Sequence, residues 1–77
     1  MLARNRTLTQ EIRLLSDRER EVLGWVAQGK SAWEIGVILG ISKRTVDEHV
    51  RVVCQKLSAS NRTQAVAIAV RDGEIEV

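Results

Sequence analysis

At 77 residues the chain is long enough for one small hydrophobic core and too short for two. Apolar residues make up 44% of it, with no Phe, Tyr or Pro, so Val, Ile, Leu and Ala supply the bulk, which suits short packed helices better than a β-sandwich. The single Cys54 and single His49 exclude an internal disulfide and a zinc site of four protein ligands, and the longest apolar run, Ala65 to Val70, falls far short of the roughly 20 residues a bilayer span needs.

A soluble, cytoplasmic protein is therefore expected. The net charge of +2 hides an uneven distribution. Arg4, Arg6 and Arg13 face only Glu11 in the first fourteen positions, and Lys43, Arg44, Arg51, Lys56 and Arg62 face only Asp47 and Glu48 further on. A basic face of this kind attracts phosphate, because each phosphate neutralised releases condensed counterions.

Residues 1–14 read as a linker or N-terminal extension, in which Leu8, Ile12 and Leu15 would line a short helix after Thr7 or Thr9. Ser16 followed by Glu19 is a capping box. With Val22, Leu23 and Val26 at helical spacing and Gly29 to stop the run, it predicts a helix over 17–28. Ser31 and Glu34 repeat the signal before an Ile35, Ile38, Leu39 stripe that ends at Gly40, predicting a helix over 32–39.

Ser42 is the next N-cap, and Val46, Val50, Val53 and Leu57 form one stripe of a helix over 43–57. Asn61 with Gln64 resembles another capping pair, opening a fourth helix that carries Ala65 to Val70 and runs to Asp72 before Gly73. The expected fold class is all-α, with four helices and no strands.

Two helices joined by a tight turn containing glycine are the core of a helix-turn-helix, whose second helix enters the major groove. Residues 32–51 have that layout: Gly36 is small where the helices must approach, Gly40 suits a left-handed turn, and Ile35, Leu39, Ile41 and Val46 supply inner packing. On a helical wheel Arg44, Glu48, Arg51 and Gln55 cluster opposite the valine stripe, with Asp47 on one flank.

These residue types match the edges of bases. Arg51 can donate twice to guanine O6 and N7, Gln55 can pair with adenine, and Asp47 or Glu48 can accept from cytosine N4. Lys43, Arg44 and Thr45 stand at the helix N-terminus, where backbone amides favour a phosphate, with Lys30, Ser31 and Lys56 as further phosphate candidates.

The other chemistry-bearing residues read more plainly. His49 lies between the apolar and polar faces of its helix, Cys54 suits a reduced, half-buried thiol, and Trp25 and Trp33 suit core bulk in a chain without Phe or Tyr. No nucleophile and base pair or phosphate loop is visible, so no enzyme, cofactor, metal or small-molecule ligand is expected. The fourth helix is apolar nearly all round, which implies a second buried surface, read as a homodimer interface through Ala65, Ile68, Ala69 and Asp72.

Taken together, Leu15 to Leu23, Gly29-Lys30-Ser31, Glu34-Ile35, Ile41-Ser42, Thr45-Val46, His49-Val50 and Lys56-Leu57 closely resemble the LuxR-type DNA-binding domain, over residues 15–73. The resemblance implies structural roles for Glu19, Leu23 and Gly29, base contacts from Asp47, Glu48 and Arg51, and a phosphate-side position for Thr45. It also implies two-fold dimers on two-fold sites. Trp25 and the stretch Ala32 to Ile35 look like the branch whose full-length members sense acyl-homoserine lactones.

Two departures stand out. Asp47 is acidic where relatives present a basic or amide residue, and the ending Glu74 to Val77 is less apolar than is common, with no role assigned to it. The expected function is a dimeric, sequence-specific reader of double-stranded DNA that controls transcription. The alternative is an interaction module that pairs with a related regulator through residues 61–72 and blocks its DNA binding.

Overall fold

The structure is a computed structural model that describes residues 13–76; the short helix expected around Leu8 and Ile12 lies outside them. Among the described residues there are four helices and no strand: α1 Asp17–Ala27, α2 Ala32–Leu39, α3 Lys43–Leu57 and α4 Arg62–Arg71.

Each helix begins where a short polar side chain takes up an orphan amide. Ser16 Oγ accepts from Glu19 N and Ser31 Oγ from Glu34 N, with both glutamates returning the bond to the cap's own N–H. Ser42 Oγ and Asn61 Oδ1 accept from Thr45 N and Gln64 N. Gln64 does not complete a box with Asn61, because its carbonyl oxygen accepts instead from Ser60 N.

The helix ends share one device, a left-handed residue that turns the chain back so the next amide reaches a carbonyl of the last turn. After α3 this residue is Ser58, at φ 54°, and Ala59 N donates to Cys54 O at 2.8 Å. After α4 it is Gly73, at φ 75°, and Glu74 N donates to Ala69 O at 2.8 Å. That reversal sends Ile75 into the core and makes Glu74 and Ile75 part of the fold.

The core has two lobes. Leu15, Leu23, Val53, Leu57, Ala65, Ala69 and Ile75 form one, and Val22, Ala32, Ile35 and Val46 form the other, with Val26 packed against both. The valine stripe of α3 therefore spans the domain, Val46 in one lobe and Val53 in the other, which fixes the face that α3 turns outward.

Some apolar residues sit elsewhere than the sequence suggests. Trp33 is not core: it is 66% exposed, because Ala32, Ile35 and Gly36 already occupy the buried face of the eight-residue α2. Ile38, expected on the apolar stripe, is 45% exposed, and Val37 is exposed with them. On α4 the inward stripe is Ala65 and Ala69, each wholly buried.

Candidate nucleic-acid interface

The turn between α2 and α3 is held by backbone contact. Ile41 N donates to Gly36 O at 2.9 Å, and Gly40 takes φ 70°. A Cβ on Gly36 would stand 2.6 Å from Ile41 O, so only glycine lets the turn fold back against α2. The close approach sets the angle at which α3 leaves α2.

Because Val46, Val53 and Leu57 are buried, the opposite side of α3 is presented to solvent. Lys43, Arg44, Asp47, Glu48, Arg51 and Gln55 are all exposed along it. Thr45 is half-buried and tied into the cap, its hydroxyl accepting from Ser42 Oγ at 2.9 Å. The structure thus brings the four candidate base-reading side chains and the N-terminal phosphate candidates of α3 onto one continuous surface.

Four of the charges on that surface are paired within the helix. Lys43 Nζ lies 2.9 Å from Asp47 Oδ2, and Arg44 Nε lies 3.6 Å from Glu48 Oε1. Their i,i+4 spacing was legible in the sequence. Both cations stand at the positive end of the helix dipole, an arrangement that costs stability, and the carboxylates one turn on offset part of the cost.

The remaining phosphate candidates are set apart. Lys30 is half-buried, and Ser31 is occupied as the cap of α2. Lys56 reaches away from the exposed face and donates to Glu19 Oε1 at 2.7 Å, tying the end of α3 to the start of α1. Burial alone would raise the Glu19 carboxyl, but the bonds from Lys56 and from Ser16 outweigh it and hold the group below its ordinary value of 4.5.

For the dimer candidates the structure gives a correction. Ala65 and Ala69 are covered by the domain's own core, so they have no surface to offer a second copy. Ile68 is half-buried, Asp72 is exposed and paired with Arg71, and Ala67 and Val70 are the apolar side chains that α4 leaves open.

A role for Glu74 was not legible. Its buried carboxylate accepts from Leu14 N at 2.9 Å and Leu15 N at 3.4 Å, sixty positions back along the chain. Among the described residues no cluster of three or more His, Cys, Asp or Glu is placed to hold a metal ion, and no helix is long and apolar enough to cross a membrane.

A short helix packed across a longer one through a glycine turn, with the longer helix presenting a polar and basic face, defines a helix-turn-helix DNA-binding domain. Residues 13–69 match the family described as bacterial regulatory proteins, luxR family, and the chain belongs to that family. It is a DNA-binding transcription-regulator domain and not an enzyme.

Similarity extends to curated and solved proteins. The chain is 60% identical over 57 residues to the transcriptional activator protein BjaR1 of Bradyrhizobium diazoefficiens, covering 74% of this chain and 24% of that protein. It is 54% identical over 63 residues to the quorum sensing-dependent transcriptional regulator RpaR of Rhodopseudomonas palustris, covering 82% of this chain and 26% of that protein. The chain spans about a quarter of the length of these relatives. The solved structure of the transcription factor GerE superposes with a TM-score of 0.79 at 38% identity, covering 82% of this chain and 94% of that one.

Proposed function

We propose that the domain reads a two-fold DNA site as a homodimer in the cytoplasm, with α3 of each copy in one major groove, as the DNA-binding part of a quorum-sensing-type regulator. Arg51 and Gln55, with Asp47 and Glu48, meet base edges, while Lys43, Arg44 and Thr45 hold phosphates at the N-terminus of α3 and Lys30 and Ser31 extend that contact. Lys56 is the weakest member of the phosphate set, since its ammonium is engaged by Glu19.

The observation that carries this reading is the placing of Lys43 and Arg44. Two exposed cations sit on the first turn of a helix that has no acidic residue there, against the preference of the helix dipole. A phosphate is the ligand that reverses that cost, because the helix amides and both cations then attract the same charge.

Dimerisation through α4 rests on its exposed Ala67 and Val70 beside Ile68 and Asp72. The quorum-sensing assignment rests on relatives such as RpaR.

Fluorescence anisotropy on a selected site and on unrelated duplex tests the division of roles. Arg51→Ala should lose about 1–3 kcal/mol of preference at one base pair, and Lys43→Ala should weaken binding to the selected site and flatten its salt dependence. Equal losses on every sequence from both variants would contradict the assignment, and weak binding to every duplex would favour the inhibitory-partner reading.

A further inference from the structure

We propose that the two intrahelical ion pairs of α3 couple phosphate contact to base readout, so that Asp47 and Glu48 set specificity by withholding Lys43 and Arg44 from the wrong DNA; the inference rests on α3 being the reading helix. Lys43 is held by Asp47 and Arg44 by Glu48, and these are the cations that stand nearest the phosphate backbone when the helix N-terminus faces it. Both pairs are exposed, and exposed pairs are weak enough for a phosphate to displace the carboxylate.

What differs between sequences is the fate of the displaced carboxylate. On unmatched DNA it is left beside phosphates and base acceptors with no donor, so releasing the cation creates a repulsion that offsets the new contact. On a matched site a cytosine N4 amino group donates to the carboxylate, and the cation is then free for the phosphate at no such penalty. Base recognition and backbone contact therefore form together, although they are made by different side chains. Asp47 and Glu48 each take part in both events, one turn from the cations they hold.

The coupling is tested with the 77-residue chain by a cycle of Asp47→Asn, Lys43→Gln and the double variant. Affinity for unrelated duplex is measured over a series of salt concentrations. Asp47→Asn should bind unrelated duplex several-fold more tightly and steepen the log–log salt slope by about 0.9, the value for one further phosphate contact.

In the Lys43→Gln background the same substitution should leave the slope unchanged. Glu48→Gln with Arg44→Gln should behave in the same way, and both carboxylate variants should lose discrimination between selected and unrelated DNA. An unchanged slope in Asp47→Asn, or the same gain with and without Lys43, overturns the coupling while leaving α3 as the reader. A wild-type chain that enriches no site from random duplex overturns both.

Discussion

Lys56, near the end of α3, donates to Glu19 Oε1 at 2.7 Å, and the same oxygen accepts from Ser16 N at 2.9 Å. One carboxylate thus closes the cap of α1 and anchors the far end of α3.

Glu19→Gln should destabilise the domain by about 1–3 kcal/mol, the cost of weakening charge-assisted bonds at a nearly buried group. The Glu19 carboxyl is depressed in the folded state below its ordinary 4.5, so its contribution is fully present above that pH and is lost as pH falls through the native value. Urea titrations of wild type and Glu19→Gln should therefore differ by a constant amount from pH 6 to 8 and converge below about pH 4.5. A gap that persists unchanged into acid would show that the charge is not its source.

Two glycines within helices should respond oppositely to the same substitution. Gly36→Ala drives a Cβ to 2.6 Å from the Ile41 carbonyl oxygen, and since that neighbour is backbone the cost should be about 1–3 kcal/mol, with the angle of α3 disturbed. Gly24 lies inside α1 with nothing within 4 Å of an added Cβ, so Gly24→Ala should stabilise by about 0.5–1 kcal/mol. Thermal unfolding of both variants checks the pair.

Glu74 joins the end of the domain to its beginning through the Leu14 and Leu15 amides. Glu74→Ala should cost about 1–3 kcal/mol, chiefly by leaving the buried Leu15 amide unpaired. Hydrogen exchange should quicken at Leu14 and Leu15 first, with α2 and the middle of α3 keeping their protection. Uniform loss of protection would mean that the tail does more than fasten the entry to α1.

Lys43 should show a trade between stability and binding. Removing a cation from a helix N-terminus relieves an unfavourable dipole interaction, and loss of the exposed pair with Asp47 costs little. Lys43→Gln should accordingly be neutral to about 0.5 kcal/mol more stable, while its affinity for the selected site falls. Calorimetry and anisotropy on the same preparation read the two effects.

Much of this was legible because the helix boundaries are written in local chemistry. Ser16, Ser31, Ser42 and Asn61 each cap the helix that follows, and the observed bounds of α2 and α3 match those that capping and spacing predict. The outward face of α3 was legible too, since a stripe of valines leaves one choice for the polar side. The expected roles of Trp33 and Ile38 failed because α2 is apolar at nearly every position besides Glu34, so its periodicity does not say which residues face in.

The same ambiguity misplaced the α4 interface. Packing selects Ala65 and Ala69 for the core because small side chains allow close approach to α1 and α3, and this is decided by neighbours distant in sequence. Glu74 was illegible for a related reason. Its partners are backbone amides, which no residue pattern announces, brought near by the left-handed turn at Gly73.

Whether α3 reads sequence is decided by selecting sites from random duplex DNA with the purified 77-residue chain, at two salt concentrations that separate specific from electrostatic binding. A two-fold symmetric site should be enriched, and Arg51→Ala should shift it at one position in each half. Salt-sensitive binding that enriches no sequence, or an enriched site that Arg51→Ala leaves unchanged, would contradict sequence reading by α3.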